Sequence, residues 1–343
     1  MVHNTVNAGR SGRPALSIKT KIMRIIFQFL KLVRIVIITS FFLWSELLAQ
    51  DQEATLFMAD VVSTHYPERD FTLSPDGKTA FFTVQTYQYE KQAIVQMNKE
   101  GQSWTQPEVA FFSGTYKDLE PSYSPDGTRL YFSSNRPVGG NDEKTDFDLW
   151  YVNLGTGASS DPVHLGNVVN TNTNEFYPSV VEDGSLYFTA SYEDSKGSED
   201  IYYSQWNGKA FEQPVSLDTM INSRVYEFNA YVSPDESFII FSSYGRQDDL
   251  GGGDLYISHK NTDGTWMQAR NMGEIVNSTA LDFCPFVSPD GQYFYFTSNR
   301  SNYEELTAPL NLVQLKNSMI QIFNGHGNIF RIPVKSLITF GAN

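Results

Sequence analysis

Beyond residue 54, apolar residues come in short runs rich in aromatic and β-branched side chains, cut by clusters of Ser, Pro, Asp and Gly. That pattern predicts short strands joined by tight turns. Residues 119–152, LEPSYSPDGTRLYFSSNRPVGGNDEKTDFDLWYV, show the unit in full. An extended segment meets a Ser-Pro-Asp-Gly turn at Ser124–Gly127. A second strand follows through Leu130, Tyr131 and Phe132, then a polar loop, then a third strand opening at Asp148. Proline presets φ in such a turn, aspartate caps it locally, and glycine supplies the positive φ that lets antiparallel strands resume pairing.

The unit recurs. The turn aspartates are Asp76, Asp126, Asp183, Asp235 and Asp290, at intervals of 50, 57, 52 and 55 residues. Eight positions earlier stands an acid in every copy: Glu68, Asp118, Glu175, Glu227 and Asp282. Thirteen earlier stand Ser63, Ser113, Asn170, Asn222 and Asn277. Third strands open at Asp148, Asp200 and Asp254, with a weaker one from Lys91, and a fourth strand carries Trp104, Phe211 or Trp266 near its start. Four short strands per period of roughly 50 residues predict the blades of a β-propeller.

The units SYSPDGTRLYFSSNR and FVSPDGQYFYFTSNR, each with its following strand pattern, resemble the TolB-like propeller repeats, the Pro-Asp relatives of the WD repeat. The resemblance covers roughly residues 54–333 and implies an all-β fold with a role in the bacterial envelope, while leaving function open, because this repeat serves many proteins. Three copies depart from the pattern: the first lacks the Asn-Arg pair, the third has lost its turn proline, and the fourth has Glu236 in place of glycine.

Five blades of about 56 residues fit residues 54–333, with six as the runner-up. The fifth copy has two strands near 283–298, an interruption at about 301–326, and a third strand from Gly327, but no fourth strand of its own. The segment Ala54–Thr64 matches a fourth strand and its crossing loop, so the ring is expected to be closed by the N-terminal strand, which removes an exposed sheet edge. Within the interruption, Leu310, Leu312, Val313, Leu315, Met319, Ile320 and Phe323 recur near helical spacing after Pro309, predicting a helix packed on one face.

Ahead of the repeats, Arg24, Lys31 and Arg34 precede or flank an apolar stretch, Ile35–Trp44, followed by SELLAQ. These are the parts of a secretory signal peptide over residues 1–49, with Met23 as an alternative start. Residues 50–343 then form the propeller. The apolar stretch is short for a membrane span and no cysteine follows it for lipid attachment. The expected location is periplasmic or secreted. Of the chain's 25 basic and 39 acidic residues, residues 1–49 hold seven and one, so the remainder carries 18 against 38, a net charge of −20. Such a field disfavours nucleic acid. Cys284 is the single cysteine, so stability must come from packing rather than disulfides.

The five acids Glu68, Asp118, Glu175, Glu227 and Asp282 precede the innermost strands and are expected to approach the axis at one end of the channel. Such a ring can bind calcium or a basic side chain; the alternative is that each acid caps a turn or pairs with a residue such as Arg129, Arg136 or Arg300. No other cofactor is implied. Tyr66, Tyr116, Tyr177, Tyr226 and Phe228 crowd the same loops, a composition suited to sugars or peptides. The loops around Asn135–Asp148 and Gly245–Asp254 are rich in Gly and Asp but lack EF-hand spacing. There is no G-x-S-x-G motif, and the five histidines show no catalytic pattern; His65 alone falls in an axial loop. The expectation is a non-catalytic propeller, monomeric or part of a complex, binding a protein, peptide or glycan at its acidic axial face. The alternative is a carbohydrate-active hydrolase using two axial carboxylates.

Overall fold

The computed structural model describes residues 53–139, 146–154, 161–303 and 308–337, besides Met1, Met23 and Lys31. The expected signal segment, and the middle of the Asn135–Asp148 loop, lie outside the described residues. Among the described residues no helix is long and apolar enough to cross a membrane.

Five antiparallel sheets make five blades. Blade one holds β2 (Glu68–Leu73), β3 (Thr79–Gln85) and β4 (Gln92–Glu100), with the short β5 (Ser103–Trp104) and β6 (Glu108–Val109) both paired to β4. Blade two runs β7 (Asp118–Tyr123), β8 (Arg129–Ser134), β9 (Asp148–Asn153) and β10 (Val163–His164). Blade three is β11 (Glu175–Val180), β12 (Leu186–Ala190), β13 (Asp200–Ser204) and β14 (Val215–Ser216). Blade four is β15 (Tyr226–Val232), β16 (Phe238–Tyr244), β17 (Asp254–His259) and β18 (Arg270–Asn271). Blade five takes β19 (Asp282–Val287), β20 (Tyr293–Ser298) and β21 (Asn328–Pro333) from its own repeat and β1 (Thr55–Leu56) from the start of the ring. Thr55 pairs with Arg331 and Leu56 with Phe330, so closure by the N-terminal strand is as the repeat count requires.

Each turn works as its residues dictate. The Ser74 hydroxyl donates to Asp76, whose carboxylate accepts from the Lys78 N–H, and Gly77 sits at φ 67°. Glu236, standing where glycine is expected, still adopts φ 56°, a conformation costly for a side chain. Its carboxylate bonds Tyr187 of the neighbouring blade and Lys260 of its own, contacts that offset the strain.

The column of Ser63, Ser113, Asn170, Asn222 and Asn277 is a seam device. Each side chain hydrogen-bonds the backbone of the preceding blade's third strand. Asn222 accepts from the Ile201 N–H and donates to its carbonyl, both at 2.9 Å; Asn277 does the same to Leu255, and Asn170 to Leu149. Ser113 accepts from Ile94, and Ser63 does both to Ile329, so the last seam of the ring is built like the others. Apolar clusters fill the five seams; between blades four and five, for example, Ile240, Leu255 and Ile257 meet Phe294, Phe296 and Phe330. That burial is the main stabilising contribution of a chain without disulfides.

Two expectations need correcting. Trp104, Phe211 and Trp266 sit in small hairpins ahead of the outermost strands rather than at their starts: Trp104 is in β5, Phe211 bridges Trp206, and Trp266 bridges Lys260. The helix exists as α1 (Leu312–Met319), with Asn311 and Gln314 forming a reciprocal capping box, but it buries none of its residues and is not packed on a face. Helical spacing read the period correctly. Of the apolar stripe, Phe323 packs on Phe330, whereas Leu310, Leu312, Val313, Leu315, Met319 and Ile320 are exposed.

Candidate ligand site on the propeller axis

Every innermost strand carries a bulge at the same place. Register shifts fall between Arg69 and Thr72, Leu119 and Ser122, Phe176 and Ser179, Phe228 and Tyr231, and Phe283 and Phe286. In each, one non-glycine residue takes a left-handed backbone: Asp70 (φ 63°), Glu120 (61°), Tyr177 (50°), Asn229 (49°) and Cys284 (53°). A bulge adds a residue to one strand and re-aims its side chain. These five side chains, two positions beyond the conspicuous acids, meet across the ring.

Their contacts span all five blades. Glu120 Oε1 accepts from Arg69 Nη2 at 2.8 Å and from Asn229 Nδ2 at 3.2 Å, while its Oε2 accepts from the Tyr177 N–H at 2.8 Å and the Ser133 hydroxyl at 3.0 Å. Asp70 accepts from Arg69 Nε and from the Cys284 thiol, both at 2.7 Å, and from the Glu120 N–H at 3.2 Å. The Tyr177 hydroxyl donates to the Pro285 carbonyl at 2.9 Å. Burial pushes the Glu120 carboxyl up to about 7 against the opposing pull of Arg69, and pushes the Cys284 thiol well above its ordinary range. Cys284 is therefore a protonated hydrogen-bonding group rather than a thiolate nucleophile.

On one side the cluster is narrowed. Pro121, Pro178 and Pro285, with Phe71, Tyr231 and Phe286, leave a cavity of about 20 Å³, room for roughly one water. On the other side lie the half-buried Phe176, Phe228 and Leu281 beside Phe283, and Arg69 lies with its guanidinium carbon 5.1 Å from the Phe283 ring centre. Arg69 is 16 % exposed, whereas Asp70 and Glu120 are 1 % and 3 % exposed. A polar, hydrogen-bonding cluster with half-buried aromatic rings packed against it, the candidate mouth of the site, suits a ligand with both an apolar face and polar edges.

The acids singled out by the repeat hydrogen-bond the loops before their strands. Glu68, Asp118, Glu175, Glu227 and Asp282 are all buried, and none bonds another. Glu68, Glu175, Glu227 and Asp282 each cap the loop before their strand by accepting an N–H and a hydroxyl from Thr64, Thr171, Ser223 and Ser278. Asp118 accepts from the Ser113 and Ser134 hydroxyls instead. Three acids also hold an arginine: Asp118 with Arg136 at 2.6 Å, Glu227 with Arg246 at 2.9 Å and Asp282 with Arg300 at 2.8 Å. Each arginine reaches on to a carbonyl of that loop, Phe112, Ile221 or Val276. In blade three Tyr192 takes the arginine's place, donating to the Val169 carbonyl. Among the described residues Glu68 and Glu175 have no arginine partner, and burial raises both to about 7. Among the described residues no group of three or more His, Cys, Asp or Glu is placed to hold a metal ion.

The expected aromatics divide. Tyr177 belongs to the axial cluster and Phe228 to its mouth. Tyr66 and Tyr116 are exposed on loops and Tyr226 is exposed at the start of β15: Tyr66 packs on His65 at 4.0 Å, Tyr116 on Arg136, and Tyr226 on Tyr244. The Gly245–Asp254 run is a largely exposed loop tied down by hydrogen bonds and a close backbone approach. Asp249 accepts from the Gly245 and Arg246 N–H groups, and a Cβ at Gly251 would come within 2.1 Å of the Thr279 carbonyl. Asp148 faces His164, Asp200 accepts from Ser216, and Asp254 accepts from Asn271, so the third-strand acids fix outer loops.

Sequence reasoning passed over Arg69, Asp70, Glu120, Asn229 and Cys284. The signal was present in an unexpected form. Six positions before each turn aspartate the repeats disagree, reading Asp, Glu, Tyr, Asn and Cys. A uniform column marks what every blade needs, and a divergent polar column marks what only one site needs.

No family model matches the sequence, and no curated protein matches it. Solved structures do. The chain is similar to Zg3597, a family 117 glycoside hydrolase from Zobellia galactanivorans, at 14% identity over 84% of this chain and 92% of that one, with a TM-score of 0.49. It is similar to a putative TolB from Agrobacterium tumefaciens at 18% identity over 68% and 70%, TM-score 0.45. It is also similar to CoXyl43, a family 43 β-xylosidase/α-arabinofuranosidase from a compost microbial metagenome, at 10% identity over 82% and 94%, TM-score 0.44. The likeness is one of propeller fold, spread over several families rather than confined to TolB.

Proposed function

We propose that this protein is an exported propeller that binds a saccharide at the axial mouth formed by Arg69, Phe176, Phe228 and Phe283. The observation that carries the reading is the convergence of five bulged side chains, one from each blade, on a single hydrogen-bonding floor beneath half-buried aromatic rings. Aromatic faces pack on the apolar side of a sugar ring while carboxylate, amide and guanidinium groups meet its hydroxyls. Glu68, Asp118, Glu175, Glu227 and Asp282 enter this proposal as the groups that hold the surrounding loops and strand starts, including those bearing Tyr66, Tyr116 and Tyr226. Export rests on the basic and apolar pattern of residues 1–49.

A second reading, a carbohydrate-active hydrolase, has one observation in its favour. Two carboxylates, Asp70 and Glu120, share Arg69, and Glu120 is held near 7, as a general acid requires. Both are covered by Arg69, so catalysis needs that side chain displaced. A glycan panel separates the readings. Binding that is lost in Phe228→Ala, with no release of reducing sugar by the wild type, supports the binding protein. Turnover abolished by Asp70→Asn or Glu120→Gln supports the hydrolase. Glycan binding untouched by Phe228→Ala and Phe176→Ala refutes the site.

A further inference from the structure

Resting on the saccharide reading, we propose that the axial mouth selects a sugar bearing a carboxylate, a uronic acid, which takes the outer edge of the Arg69 guanidinium while its ring lies against the phenylalanines. The guanidinium is half used. Its Nε and Nη2 are turned inward, to Asp70 at 2.7 Å and to Glu120 at 2.8 Å, with Cys284 Sγ at 3.4 Å from Nη2. Nη1 has no hydrogen-bond partner among the described residues, and Arg69 is the charged axial side chain with exposed surface. A planar guanidinium with its inner edge clamped is a preorganised donor for one more acceptor, and carboxylate gives the strongest such pairing. The neutral alternative, a hydroxyl, forms a weaker bond there.

Charge balance adds a second consequence. Arg69 already faces Asp70 and Glu120, so an incoming anion leaves the cluster with excess negative charge unless a proton is taken up. Glu120 is placed to take it. It is faced by Arg69 and Asp70 from β2, by the Tyr177 N–H from β11, by the Ser133 hydroxyl from β8 and by Asn229 from β15, with Cys284 of β19 bridging Asp70 and Asn229. Binding of a uronic acid therefore tightens as the pH falls towards 7. The net charge of the mature chain opposes approach only at long range, where salt screens beyond about 8 Å at physiological ionic strength.

The test is calorimetric titration of the full chain with oligogalacturonides, with neutral galacto-oligosaccharides of the same linkage, and with short peptides bearing a free C-terminal carboxylate. The expected results are uronide binding at least about tenfold tighter than neutral binding, and a gain of up to about fivefold in affinity from pH 8 to pH 7, the limit for one coupled proton on a group that already titrates near 7 in the free protein. Glu120→Gln flattens that pH profile, and Arg69→Lys lowers affinity for the uronide about tenfold more than affinity for the neutral sugar. Equal affinity for both sugars, with no pH slope, overturns the uronic acid assignment and leaves the saccharide reading standing. Binding of neither sugar overturns both. Preference for the peptide carboxylate overturns the saccharide class while leaving the Arg69 edge as the reader. Should Arg69→Lys fail to fold, the wild-type panel and the Glu120→Gln profile decide alone.

Discussion

Glu175 gives the sharpest quantitative test of how the seams are built. It is buried, it caps Thr171 through Oε1, and its Oε2 is enclosed without a hydrogen-bond partner. Blade three carries Tyr192 where blades two, four and five carry an arginine, so no cation offsets the desolvation of the carboxylate. Burial consequently raises the group from its ordinary 4.5 to about 7. Because the folded value lies above the unfolded one, the folded chain binds the proton more tightly. Its stabilising effect is complete below about 4.5 and is lost as pH rises through 7. At 1.36 kcal/mol per unit, the loss between pH 4.5 and pH 8 is about 3 kcal/mol for this side chain, and Glu68, raised to about 7 for the same reason, adds a similar loss. Glu175→Gln keeps an acceptor for Thr171 and removes the titration. Urea unfolding followed by tryptophan fluorescence from pH 5 to pH 8.5 should therefore show wild-type stability falling across the window and a shallower fall in the variant, by about 2.5 kcal/mol. An unchanged slope in Glu175→Gln would refute the claim that an unpaired, desolvated carboxylate governs this seam.

Three other perturbations follow from the same geometry. Arg300→Met strands the buried Asp282 without its cation and should cost about 3–5 kcal/mol in denaturant unfolding, most of it recovered by adding Asp282→Asn. Asn222→Ala removes the partner of both the Ile201 N–H and its carbonyl and should cost about 2–4 kcal/mol by the same assay, whereas Gln102→Ala on an exposed hairpin should stay within about 0.5 kcal/mol. Deleting residues 53–60 strips β1 from β21 and leaves an open sheet edge, so size-exclusion chromatography should show association or aggregation where the full chain does not.

Much of the fold was legible because each blade repeats the same local solution. Ser-Pro-Asp-Gly sets the turn, the acid eight positions earlier caps the crossing loop, and Ser or Asn thirteen positions earlier ties the seam. Five copies in register give five blades, and the missing fourth strand of the last copy gives the closure. Legibility ended where physics stops being periodic. The bulge adds one residue to each inner strand, so the side chains that reach the axis are displaced from the column that repetition makes conspicuous. Asp70, Glu120, Tyr177, Asn229 and Cys284 share a backbone conformation but no chemistry, and no pattern of residue type links them. Arg69 escaped notice for the same reason: the equivalent residues in the other blades are Leu119, Phe176, Phe228 and Phe283. The helix α1 shows the complementary limit. Spacing reports a helical period, but whether the apolar stripe finds a neighbour is decided by the rest of the fold.

The most direct test of the axial site is a crystal structure of the chain bound to the tightest saccharide from the panel. The account predicts sugar density at the mouth, in contact with Phe176, Phe228 or Phe283 and within hydrogen-bond distance of Arg69 Nη1. Density seated instead on the exposed tyrosines Tyr66 and Tyr87, or in the clefts between the Ser-Pro-Asp-Gly turns, would contradict it.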